Sequence, residues 1–219
     1  DAVARATSEV VRIANSRAGE GFVAVSAEAR KKFWLDRKRT AAISRHTNAF
    51  KINEDVVIPL ERMGEYTEGI ERINIELSLR NKLALADRLE AFFVHEEMPL
   101  GRSEDAGEIS RAVLLEDRVQ LALGLLRVVR ALWKSWLANL DLEHGESGRS
   151  VFALLQDHTL RASWKRQLLE PLQQLFVGAA FEPIVARCKA IHQEVLRGRV
   201  WVALHMHAGD GNVHTNIPV

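Results

Sequence analysis

Val200-Trp-Val-Ala-Leu-His-Met-His-Ala-Gly-Asp-Gly-Asn-Val-His-Thr-Asn-Ile-Pro-Val219 reads as a β-hairpin. Two runs rich in β-branched residues flank an Asp-Gly pair, a strong short-range hairpin signal. With Asp210 and Gly211 as the two central turn residues, His207 is expected to face His214, and His205 to face Asn216. Opposed side chains in an antiparallel pair have Cβ atoms ~4.5–5.5 Å apart, so two imidazoles there can share one metal ion. The period of two places Trp201, Ala203, His205 and His207 on one face and Val200, Val202, Leu204 and Met206 on the other. One face suits a core and the other suits chemistry.

Working back from the hairpin, the remaining sequence is dominated by helical periodicity. A short amphipathic helix is expected over Val3–Asn15, closed by an Arg17–Gly21 loop. Ser26 is expected to N-cap a basic helix running to about Thr47. Glu54–Leu60 reads as a strand, with Pro59 ending the ladder. Met63, Tyr66, Ile70, Ile73 and Leu77 mark a helix extending to Val94, and Pro99–Gly101 breaks the chain. Ser103–Leu142 and Ser150–Leu169 read as two mostly apolar helices joined by a His144–Arg149 loop. Pro171 and Pro183 punctuate further helix, and Gly198 is a C-cap before the hairpin.

Composition narrows the function classes. The 219 residues carry 30 Lys and Arg against 29 Asp and Glu, a net charge of +1, so no global field favours nucleic acid or an anionic membrane. The single cysteine, Cys188, lies on the apolar helical stripe Ile184, Cys188, Ile191, Val195 and reads as a packing thiol. The apolar stretch Ala112–Leu142 is interrupted by Glu116, Asp117, Arg118, Arg127, Arg130 and Lys134, so it is no membrane span, and the chain reads as soluble.

Arg30, Lys31, Lys32, Arg37, Lys38, Arg39 and Arg45 crowd one helix around Phe33-Trp34. This is either an anion-binding surface or a solvated basic face packed through Phe33 and Trp34. An arginine fork also suits a planar carboxylate. Two metal-like signals fail: His95-Glu96-Glu97-Met98 runs into Pro99 where a zincin helix needs its second His, and Glu143-His144-Gly145 sits in a polar turn.

His207-Ala-Gly-Asp-Gly-Asn-Val-His214 resembles the His-x-Gly-Asp-Gly-Asn-x-His signature of the C-terminal domain of FAD-linked oxidases, a family that includes D-lactate dehydrogenases, the glycolate oxidase flavin subunit and D-2-hydroxyglutarate dehydrogenases. Phe33-Trp34…Arg37 followed by Asp55-Val-Val-Ile-Pro59 is similar to the same family's Trp-x-x-Arg…Asp-x-x-x-Pro pattern. The resemblance implies an α+β fold: a ferredoxin-like antiparallel sheet, here with a large helical insertion over about 101–172, mostly helical by content. It implies that residues 1–219 are a partial substrate- and metal-binding domain, packed in the intact enzyme against an FAD-binding domain of the same polypeptide.

By the same resemblance, His207 and His214 are ligands of a divalent metal, with zinc the expected ion. Arg37 grips a substrate carboxylate, Asn216 and Lys51 contact substrate, and the Gly209, Asp210, Gly211, Asn212 turn faces the cofactor. The catalytic base is expected outside these residues. The family starts this domain with a strand and follows the hairpin with a Glu-His-Gly motif; neither stands here, so the residues are expected to be an excised piece of a larger flavoenzyme. The implied activity is FAD-dependent oxidation of a small D-2-hydroxy acid to the 2-oxo acid. An electron-transfer partner or iron–sulfur domain, no nucleic acid, and a cytoplasmic location, either free or peripheral to the inner face of the membrane, go with it. The alternative is a non-catalytic helical module that binds an acidic partner or nucleic acid through the basic helix 30–45.

Overall fold

A computed structural model describes residues 2–40, 51–101, 108–207 and 209–218. The chain divides into two units, residues 1–49 and 50–219. The first contains α1 (Ala2–Ser16) and α2 (Ala27–Thr40). Ser26 caps α2 as expected: its Oγ accepts the Ala29 N–H at 3.0 Å and its carbonyl accepts Arg30 N–H. The expected continuation to Thr47 lies outside the described residues. No residue of α1 is buried, and Phe33 and Trp34 remain half exposed.

The second unit is mostly helical with one small antiparallel sheet, the α+β class expected. Its elements are β1 (Lys51–Val57), α3 (Met63–His95), α4 (Glu108–Ala138), α5 (Val151–Gln156), α6 (Glu170–Leu175), α7 (Glu182–Arg197), β2 (Ala203–His207) and β3 (Asn212–Pro218). At 33 residues, α3 is about 50 Å long and carries both parts of the unit. Its C-terminal half supplies Leu79, Leu85, Leu89 and Phe92 to a core completed by Ala122, Leu126 and Trp133 of α4 and Ile184, Cys188 and Ile191 of α7. Cys188 is fully buried, and burial pushes its thiol up to about 12, so it is the packing residue its stripe suggests.

The N-terminal half of α3 carries the sheet. Tyr66 Oη lies 2.9 Å from Thr215 Oγ1, and the Asn74 amide exchanges two 2.8 Å hydrogen bonds with the backbone of Val202. Val213 is completely buried on the same side. The strand order is β1-β3-β2, so the hairpin is not a free ribbon: β3 is the central strand, and β1 pairs along its other edge.

One expected helix is broken. Ser150 caps α5 by accepting Ala153 N–H, but the helix ends at Gln156 rather than continuing to Leu169. Asp157 Oδ1 takes the Thr159 N–H, His158 adopts a left-handed φ of +66°, and the Leu160 N–H returns to the Leu154 carbonyl. These local bonds satisfy the helix end and stop it. Helix resumes at Trp164 through a π-helical turn, Lys165–Leu169, that runs into α6. The Gln167 side chain joins the pieces by accepting both Ser163 N–H (2.7 Å) and Trp133 Nε1–H (3.0 Å).

Candidate functional site: a histidine face on the sheet

The hairpin register differs from the two-residue turn expected from Asp210-Gly211. His205 is opposite His214, His207 is opposite Asn212, and Ala203 is opposite Asn216. The connection is four residues, 208–211. A type I′ turn needs positive φ at both central residues, and Asp210 is not among the positive-φ residues, whereas Gly211 has φ +76°. The loop instead closes with Asp210 N–H donating to the His207 carbonyl, and Asp210 Oδ1 accepting Asn212 N–H. A slip of two leaves side-chain parity unchanged. The histidines therefore still share one face.

β1 explains why the turn has this composition. The Ile58 N–H donates to the Gly211 carbonyl at 2.8 Å, and a Cβ on Gly211 would stand 2.2 Å from the Ile58 carbonyl oxygen. Only glycine fits there. Of Gly209, Asp210, Gly211 and Asn212, expected to face a cofactor, Gly211 is required by the close passage of a third strand, and Asp210 and Asn212 take part in closing the turn.

The same strand adds a residue that hairpin arithmetic missed. Asp55 is opposite His214, and Asp55 Oδ1 lies 2.6 Å from His214 Nδ1. An ionised carboxylate only accepts, so Nδ1–H donates and the neutral ring keeps its Nε2 lone pair on the side away from Asp55. In the sequence Asp55 stands out only as a motif position, and its place at the head of Val56-Val57, in a run ended by Pro59, is the signal for the strand. Across the face, the three imidazoles form a triangle. Ring centroids are 5.5 Å apart for His207 and His214, 5.8 Å for His205 and His214, and 6.0 Å for His205 and His207. His205 and His207 are exposed and His214 is half-buried.

The expected ligands His207 and His214 are thus brought together, with His205 beside them. Among the described residues, however, no group of three or more His, Cys, Asp or Glu side chains is arranged to hold a metal ion. Asn216 pairs with Ala203 and Asn53, and its Nδ2 reaches the His214 carbonyl at 3.4 Å. Lys51 pairs with Pro218 at the end of the ladder. Its side chain, and that of Arg37 on α2, lie outside the described residues.

A family model described as FAD linked oxidases, C-terminal domain, matches residues 1–83. Over these residues the chain is similar to the C-terminal domain of FAD-linked oxidases. No curated protein and no solved structure matches the chain. The matched FAD-linked oxidase segment runs through α1, α2 and β1 into α3, and so includes Arg37, Lys51 and Asp55 but not the hairpin. The similarity suggests a flavin-dependent oxidase domain, and with it an oxidoreductase. Among the described residues, no helix is long and apolar enough to cross a membrane.

Proposed function

We propose that the chain is the substrate-side domain of a flavin-dependent dehydrogenase that oxidises a D-2-hydroxy acid to the 2-oxo acid. The observation that carries this reading is the row Asp55–His214–His205 across three strands, with His207 one position along on the same face. Imidazole nitrogens are donors that a divalent ion takes, but the described residues bring no third ligand into place, so a bound ion would need further donors. His207 and His214 would hold it beside His205, and Asp55 would act from behind His214, the carboxylate–histidine arrangement that fixes ligand tautomers. Bound metal would supply Lewis-acid polarisation of the substrate hydroxyl, and the FAD of the neighbouring domain would take the hydride.

The chain's own residues then bind and orient. Arg37 offers a two-toothed grip for the substrate carboxylate, and Asn216 a neutral amide beside the imidazoles. Lys51 would supply a cation for substrate. Asp55 keeps His214 turned with Nε2 outward. The hydroxyl proton is taken by a base outside these residues. An electron-transfer partner or iron–sulfur domain would reoxidise the flavin, at the cytoplasmic side.

The test is metal content together with D-2-hydroxy acid oxidation in the flavin-loaded full-length protein carrying His207→Ala or His214→Ala. Both quantities are expected to fall in both variants. Undiminished oxidation in the two variants overturns the site.

A further inference from the structure

A cleft of about 740 Å³ opens in the helical part, between the middle of α3, the segment Leu155–Trp164, the end of α7 and the chain leading into β2. Lys82, Arg161 and Arg199 line it together with His158 and His192, and its lining contains no Asp or Glu. Several arginines elsewhere in this unit are paired with carboxylates: Arg72 with Asp141, Arg88 with Glu194, Arg130 with Asp87 and Glu90, Arg149 with Asp157, and Arg187 with Glu194. No ion pair to a carboxylate occurs at Lys82, Arg161 or Arg199 among the described residues. Lys82 is half-buried, and its Nζ donates to Ser78 Oγ at 3.0 Å, which leaves two of its three protons without a protein acceptor.

The walls are apolar and flat. Trp164 stacks on His192 with ring centroids 4.7 Å apart and planes 13° from parallel. Burial, with the charge of Arg199 behind it, pulls the Lys82 ammonium below its usual range. Burial and then Lys82 lower His192 in turn, which favours a neutral imidazole in the stack. The cationic cluster is therefore repelling itself.

We propose that this cleft binds an organic anion with a flat apolar body, its carboxylate or phosphate set among Lys82, Arg161 and Arg199 and its body against the Trp164–His192 stack. A bound oxyanion supplies the acceptors that Lys82 lacks and relieves the repulsion between like charges. The guanidinium forks of Arg161 and Arg199 can each bond two oxygens at once. The volume lies in the range of about 300–1,000 Å³ that small-molecule sites occupy. None of the histidine-face residues contributes to this lining, so the proposal stands apart from the oxidation chemistry.

The experiment titrates the full chain with 2-naphthoate, 2-naphthyl phosphate and the uncharged 2-naphthamide, by calorimetry and tryptophan fluorescence. At least one anion should bind saturably at one site, with the amide at least about tenfold weaker, and comparing the two acids identifies the preferred head group. Lys82→Met should weaken that binding at least about tenfold. The double variant Arg161→Gln/Arg199→Gln changes only exposed side chains, so its fold should survive, and it should weaken binding similarly. Equal affinity for the amide, absence of binding by both anions at millimolar concentration, or undiminished affinity in the natively folded double variant overturns the proposal.

Discussion

The helical part of the second unit and its sheet are built to opposite rules. The helices enclose Trp133, Leu126, Leu168 and Leu172 completely, so their side chains are fixed by neighbours on every side. Among the described residues the sheet has three strands and buries Val202 and Val213, with Tyr66 and Asn74 of α3 bonded to it, while its other face presents three imidazoles and a carboxylate. One helix serves both. Stability therefore resides in the bundle and chemistry on the thinner, more easily opened element, the division expected where local stability varies across a structure.

The largest test of that division is Trp133→Ala. It empties a fully buried site and strips Gln167 of a donor, and should cost about 3–5 kcal/mol in urea unfolding. Sheet amides should lose exchange protection along with the bundle, because α3 is their platform. A sheet that keeps its protection when the bundle melts would break the comparison. Gly211→Ala attacks the other side. The clash with the Ile58 carbonyl and the positive φ should cost about 1–3 kcal/mol, read as faster hydrogen exchange in β1 and β3 with bundle amides unchanged.

Asp55→Asn probes chemistry alone. In the flavin-loaded full-length protein it should lower metal affinity or turnover by roughly 10–100-fold. Thermal stability should hardly move, since Asp55 is exposed. Asn74→Ala removes both bonds that hold Val202 to α3 and should cost about 1 kcal/mol, again confined to the sheet by exchange.

The smallest effect concerns acid. The Thr159 N–H and the Arg149 guanidinium hold Asp157 down to about 2 from 3.8. Its folded-state pKa is depressed, so its contribution is complete above 3.8 and is lost as pH falls toward 2. Asp157→Asn should flatten the stability–pH slope in that window and leave neutral stability nearly unchanged, which acid titration by circular dichroism will show.

Much of this was legible locally. Ser26 and Ser150 cap helices because short hydroxyl side chains reach the N–H three residues on. The two-faced hairpin followed from alternation, and parity survived an error in register. What failed was non-local. The two-residue turn ignored the demand that Asp210 take positive φ, and it ignored β1, whose Ile58 carbonyl dictates Gly211 from across the fold. Asp55 could not be placed beside His214 without knowing that a strand 159 residues earlier completes the sheet. The break at His158 was hidden because apolar residues on both sides keep a helical rhythm, while the stop is made by Asp157 and a left-handed backbone.

That separation has a kinetic consequence. Pairing β1 with β3 directly from an open chain would close a loop of some 150 residues, at an entropic cost that rises with loop length. Once α3 through α7 have condensed, both strands hang from the same helix, and the loop left to close is short. The histidine face is therefore expected to assemble after the bundle beneath it, which pulse-labelled hydrogen exchange during refolding will show as late protection of β1 and β3.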